Sequence, residues 1–262
     1  MPDWTVFHQA AAAYAYDPAA LQQHWARLHQ GDVEPFPSDP AVQAAWALFH
    51  AGRFQQAWQA GLKAGAAGIT VANKAQAVFA TYVEQGEKAR LKLLQEVAER
   101  ALAQQATDPG NPNAYYWQAY AWGRYSQFFS VSKALAMGLG TKVKLGLEST
   151  LKRAPLHTDA QCALGTFHAE VIDKVGKLLG LTQGADVASG LKMYELVLKS
   201  QPSSPLVMIE VALGLRMLAG EAGEARATAL EAAAAACTPM DASEWLGVEF
   251  AKERLKDATP SG

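Results

Sequence analysis

Apolar residues recur at three- and four-residue spacing along most of this chain, the period of a helix with one buried face. The segment from Lys88 shows it most plainly, with Leu91, Leu94, Val97, Ala98, Ala101 and Leu102 on one stripe. Read this way, the chain predicts helices over Val6–Tyr16, Ala19–Gln30, Ala41–His50, Gln55–Lys63, Val71–Gln85, Glu87–Gln105 and Asn113–Phe129. Further helices are predicted over Lys142–Arg153, Thr158–Lys174, Val187–Ser200, Pro205–Leu218, Gly223–Cys237 and from Asp241 onward. The stops and starts agree with this. Asp17-Pro18 supplies an N-cap followed by proline at the first helical position. The three prolines of Glu34–Pro40 demand an extended connector. Asp108-Pro109-Gly110-Asn111-Pro112 breaks the chain again, and Asp241-Ala242-Ser243-Glu244 has the form of a capping box.

A longer period lies over the helical one. The phrase Ala121-Trp122-Gly123 returns as Ala163-Leu164-Gly165 and Ala212-Leu213-Gly214. Leu147-Glu148-x-x-Leu151-Lys152-x-x-Pro155 is answered by Tyr194-Glu195-x-x-Leu198-Lys199-x-x-Pro202. Paired helices repeating at such a period predict an α-solenoid. The expectation is an all-α protein, a right-handed solenoid of about five antiparallel helix hairpins plus a C-terminal capping helix. As one domain over 1–262 it divides into a helical cap and linker (1–40), two hairpins (41–107), three longer hairpins (108–238) and the cap helix (241–257). The three phrase glycines, Gly123, Gly165 and Gly214, are expected where helices touch. The extra length falls within hairpins, at Ser130–Gly140 and Val175–Asp186, and Thr259–Gly262 is expected to fray.

Gly52-Arg53-Phe54-x-x-Ala57 matches the turn of the tetratricopeptide repeat, in which glycine frees the backbone, the aromatic plugs the hairpin and alanine lets the helices approach. With the glycine phrases and the proline endings, Pro109–Gly220 resembles the tetratricopeptide-like domain of the regulator of microtubule dynamics family. Gly165–Val171, followed by Lys174, Lys177, Leu178 and Leu179, is the closest part. A looser likeness is to the periplasmic tetratricopeptide partner of a TRAP transporter. The resemblance implies a concave groove built from the first helix of each hairpin. The chain departs from both families in showing neither a membrane anchor nor a lipoprotein cysteine near its start.

Composition narrows the function more than it names it. Half the residues are hydrophobic, much of that fraction being alanine, and the formal net charge is −2. That balance offers no overall basic field for nucleic acid. Cys162 and Cys237 lack metal-ligand spacing and are expected to be reduced thiols. The N-terminus lacks a basic signal-peptide region, and no run approaches a membrane span, so a cytoplasmic location is expected.

The richest candidate surface is the aromatic helix. With Gly123 at the packing position, helical spacing puts Trp117, Tyr120, Arg124, Gln127 and Phe128 on the inner face. The same register on the next hairpins sends Asp159, Cys162, Thr166 and Glu170 inward, and then Met208, Val211, Leu215 and Leu218. The binding surface is accordingly expected at Trp117, Tyr120, Arg124, Gln127, Phe128, Asp159, Thr166 and Glu170, aromatics burying apolar area while Arg124 and Glu170 hold one group of each sign. Filling of a gap between helices is the competing role for the aromatics. The inward positions lack the lysine and asparagine of the chaperone-tail carboxylate clamp. His168 and Glu170, two apart on a helix, point in nearly opposite directions and cannot share an ion. His8, His24, His29, His50 and His157 are scattered and read as surface or packing residues. Gly138-Leu139-Gly140-Thr141-Lys142 lacks the first glycine of a phosphate loop and reads as a helix start capped by Thr141. Lys133, Lys142, Lys144, Lys152 and Arg153 form a modest basic strip. No catalytic arrangement, metal or cofactor is predicted. A protein or peptide partner is expected, with a small hydrophobic ligand in an aromatic-lined pocket as the alternative.

Overall fold

The computed structural model describes Trp4 and residues 14–257, and the expected helix at Val6–Tyr16 and the frayed end at 259–262 fall largely outside them. Among the described residues there are thirteen α-helices, one short 3-10 turn at Gly65–Gly68, and no strand. The chain forms two compact units, 1–156 with 241–243, and 157–240 with 244–262.

The first unit contains α1 (Pro18–Leu28), α2 (Pro40–His50), α3 (Phe54–Lys63), α4 (Ile69–Tyr82), α5 (Glu87–Thr107), α6 (Pro112–Ser126), α7 (Val131–Ala136) and α8 (Leu139–Arg153). Three of these helices start by one chemistry. Asp17, Asp39 and Asn111 each accept a first-turn N–H through the side chain, and proline follows at once. Proline costs nothing there, because its missing N–H would be an orphan anyway. Gly52 takes a left-handed φ of 78° between α2 and α3, and Phe54 and Ala57 are buried behind it. The hairpins are α2 with α3, α4 with α5, and α6 with α8, and α2 also packs on α4 and α4 on α6.

The second unit contains α9 (Thr158–Thr182), α10 (Val187–Ser200), α11 (Pro205–Ala219), α12 (Glu221–Ala235) and most of α13 (Ala242–Asp257). Here α9 pairs with α10 and α11 with α12, and α9 packs on α11. The Tyr194 ring, 1% exposed, is gripped between two glycines. A Cβ on Gly165 would lie 2.7 Å from it, and one on Gly214 only 1.9 Å from its hydroxyl. Met208, Ile209, Ala234 and Ala251 form an apolar core beside this slot. Glu231, 3% exposed, is held by a two-pronged Arg216 contact at 2.7 and 2.8 Å and by Arg254.

Several local expectations are corrected. Val175–Asp186 is not a plain loop. Helix resumes after Gly176, whose φ of 78° and ψ of 166° suit glycine alone, and continues to Thr182. Thr141 does not cap α8, which already begins at Leu139 behind Gly138, at φ 63°. The aromatic helix ends at Ser126 rather than Phe129, so Gln127 and Phe128 lie in the turn beyond it. Gly123 faces α8 as expected but only at ordinary contact distance, a Cβ there standing 3.9 Å from Val143. The close approach falls to Gly146 of α8, its Cβ position 2.8 Å from Ala119. At the last helix Glu244 accepts the N–H of Met240, one residue further out than a capping box requires.

Candidate functional site

Helix α6 carries the expected surface, and its residues divide by burial. Trp117 is 3% exposed, so its ring belongs to the interior of the wall rather than its surface. Its rim touches Tyr116 and Tyr120 edge-on, at centroid distances of 4.9 and 5.3 Å, and its indole N–H has no partner among the described residues. Tyr120 is half-buried and donates its hydroxyl to Thr81 of α4 at 3.1 Å. The Arg124 guanidinium lies 5.2 Å from the centre of that ring. Phe128 is half-buried under Arg90 of α5, at 5.0 Å, and Gln127 is exposed. The face that sequence marks as inner is therefore partly occupied by α4 and α5. What it offers a partner is the outer edge of Tyr120, Arg124, Gln127 and Phe128.

The remaining three predicted residues sit on α9 of the second unit. The Asp159 carboxylate accepts from Gln201 at 3.2 Å. Thr166 accepts from the Tyr194 hydroxyl and donates to Glu210, each at 3.4 Å. Glu170 lies 3.8 Å from the Lys174 ammonium. Burial raises the Tyr194 phenol well above its ordinary pKa, so it stays neutral in its slot. His168 is buried and accepts the N–H of Asp186 at 3.0 Å, pinning the start of α10. His157 accepts the Ala160 N–H at 3.1 Å and caps α9.

The sequence reading missed a polar cluster inside the first unit. Trp25 of α1 and His29, the residue that ends that helix, stack at 3.9 Å, and His50 projects from the last turn of α2. His29 and His50 are 3% and 0% exposed, with their Nε2 atoms 3.3 Å apart. The Nδ1 of His29 meets Asp32 at 2.8 Å, and that of His50 meets Asp241 at 2.8 Å. Lys74 of α4 closes on the other oxygen of Asp32 at 2.6 Å, its ammonium over the rings of Trp46 and Phe49. Asn113 then ties the cluster to α6, donating to the Asp32 carbonyl at 3.0 Å and to Glu34 at 2.6 Å.

The protons of this cluster follow from its geometry. Burial, against the pull of Asp32, holds His29 down to about 4, so at neutral pH it is uncharged. It then gives its Nδ1–H to Asp32 and leaves Nε2 as an acceptor. Burial alone would raise the Asp32 carboxyl, but His29 and Lys74 together hold it far below the usual range. The Asp32 and Lys74 charges cancel within the cluster. That is the condition under which such groups can be buried at all. Among the described residues no group of three or more histidine, cysteine or acidic side chains is placed to hold a metal ion.

Glu34 gives the cluster a pH signature. Burial first, and the Asp32 charge second, push its carboxyl up to about 8 from 4.5. A raised folded pKa means that stability is full below 4.5 and lost as pH rises to 8. His29 has the opposite sign, its contribution full above 6.5 and lost as pH falls to 4. The two slopes oppose between 4.5 and 6.5, and above 6.5 only the loss from Glu34 remains. Glu34→Gln keeps an acceptor for Asn113 and removes that loss. Between pH 6.5 and 8 the wild-type protein should lose about 1.6 kcal/mol relative to the variant. Urea unfolding at the two pH values measures it, and parallel curves for both proteins would contradict it.

Comparison with protein-family models and with curated proteins returns no match.

Proposed function

We propose that this chain is a non-enzymatic interaction module, a right-handed tetratricopeptide-like solenoid that takes a peptide or a single helix against the first helices of its hairpins. The observation that carries this is the packing of first helix on first helix. In the first unit α2 packs on α4 and α4 on α6, and in the second α9 packs on α11. Hairpins stacked in this way present a wall of successive first helices, the surface on which repeat proteins hold extended partners. On that wall α6 exposes an aromatic edge beside a cation, the side-chain types enriched where binding energy concentrates. Among the described residues no helix is long and apolar enough to cross a membrane. The module acts, in this proposal, in the cytoplasm.

The test separates the surface from the core. Arg124→Glu with Gln127→Ala changes only the outer edge of α6 and should cost under about 1 kcal/mol of stability. It should nevertheless abolish retention of protein partners on the immobilised chain. Trp117→Ala, by contrast, should cost about 3–5 kcal/mol as a large core deletion. If the edge variant retains the same partners as the wild type, α6 is not the docking wall.

A further inference from the structure

The opposite face of α6 carries a second aromatic series that the solenoid reading does not use. Tyr115 and Trp122 stand seven residues apart, one above the other, roughly 10 Å along the axis. Phe129 follows in the turn beyond the helix, its ring 5.0 Å from that of Tyr125. Each of the three rings bears a cation from across the hairpin or the turn. Arg153 of α8 lies 3.7 Å from the centre of Tyr115, Lys142 of α8 5.1 Å from Trp122, and Lys133 of α7 4.1 Å from Phe129. All three basic residues are exposed, while all three rings are half-buried.

Charge is segregated here in a chain that is otherwise slightly acidic. Residues 109–156 hold Arg124, Lys133, Lys142, Lys144, Lys152 and Arg153, with Glu148 as the one acid. That acid is 4.0 Å from Lys144 and leaves the ladder untouched. Lys133 and Lys142 have no carboxylate partner among the described residues. A ring face holds an ammonium in place without consuming its N–H donors, so less side-chain freedom remains to be lost when an anion arrives. On the same α7–α8 surface Leu135 and Leu145 are 49% and 57% exposed, and Leu145 lies on the side of α8 that bears Lys142 and Arg153.

We infer that this ladder is a docking surface for an acidic peptide segment that carries apolar residues among its carboxylates. Charge complementarity selects the acid, and the leucines beside the ladder select the apolar residues. An extended chain rises about 3.3 Å per residue, so carboxylates three apart match the roughly 10 Å rise between Tyr115 and Trp122, the first two rings that bear cations. The surface is separate from the inner edge of Tyr120 and Arg124, so its failure would leave the proposed module intact.

Fluorescence anisotropy with a labelled peptide of about ten residues, long enough to span the ladder, tests this. Its sequence alternates glutamate pairs with leucine. The wild-type chain should bind it, and more weakly as salt rises. Lys133→Gln with Lys142→Gln should weaken binding about 3–10-fold, with the melting temperature unchanged. The charge-matched control Lys88→Gln with Lys92→Gln on α5 should bind as the wild type does. Equal loss in both double variants would show attraction to total charge and overturn the inference. So would tighter binding of a single-stranded oligonucleotide, or of vesicles rich in anionic lipid, than of the peptide.

Discussion

Asp32→Ala should destabilise the first unit by about 3–5 kcal/mol, the cost of breaking a buried ion pair by removing one partner. Asp32 is 1% exposed and accepts three hydrogen bonds, from His29, Lys74 and the N–H of Glu34. Its loss takes the carboxylate at 2.6 Å from the Lys74 ammonium, and it leaves the His29 Nδ1–H without its acceptor. Adding Lys74→Met should recover much of the loss, because methionine fills a similar volume without a charge. The coupling between the two changes should reach about 1–3 kcal/mol in a double-mutant cycle. Urea midpoints at pH 7 give all four corners. Additive effects would mean that the two residues do not act as a pair, and an Asp32→Ala cost below about 1 kcal/mol would mean that the cluster is not buried in solution.

How far the sequence could be read depended on the distance over which each feature is written. Helices are local, and Val187–Ser200 was legible to the residue because Asp186 caps it and Pro202 closes off its continuation. Gly165 and Gly214 were legible through their repeated phrase. At Gly123 the same phrase marks a looser contact, and the reason is a single position. Where the later hairpin has Tyr194, the earlier one has Leu147, also fully buried but without a ring to clear. Without a ring the opposite glycine has no special task, and the close approach passes to Gly146 and Ala119. Trp117, Tyr120 and Arg124 do share one stripe of α6, while Gln127 and Phe128 lie in the turn beyond it. What the stripe meets could not be drawn, because Thr81 and Arg90 reach it from α4 and α5.

The histidine cluster was out of reach for a different reason. His29, Asp32, His50, Lys74 and Asp241 come from separate helices and connectors, with 191 positions between His50 and its carboxylate. No period links them. The available signal was that His29 follows Trp25, and His50 follows Trp46, by one helical turn on an apolar face, which places both imidazoles inside and so in need of buried partners. The ladder on α6 was half visible, as a basic strip and as an aromatic helix read separately. Only the pairing of α6 with α7 and α8 puts one upon the other.

Gly214→Ala should lower stability in the middle of a helix, where the same change normally raises it. An exposed helical glycine replaced by alanine gains about 1 kcal/mol from reduced backbone freedom. At Gly214 the new methyl would stand 1.9 Å from the Tyr194 hydroxyl and 2.3 Å from Cζ. The ring cannot retreat, because Gly165 closes the slot from the other side and the residue is 1% exposed. Either α11 moves off α9 or the ring leaves its rotamer, and overpacking of this kind costs about 1–3 kcal/mol or more. The sign therefore decides whether the slot exists. Tyr194→Ala alone should cost about 3–5 kcal/mol through the cavity it leaves. In that background Gly214→Ala should become neutral or stabilising, because the methyl then occupies emptied space and the helix keeps its propensity gain. Thermal unfolding of the four proteins measures the cycle. Gly214→Ala raising the melting temperature in the presence of Tyr194 would show that the tyrosine is not clasped between α9 and α11.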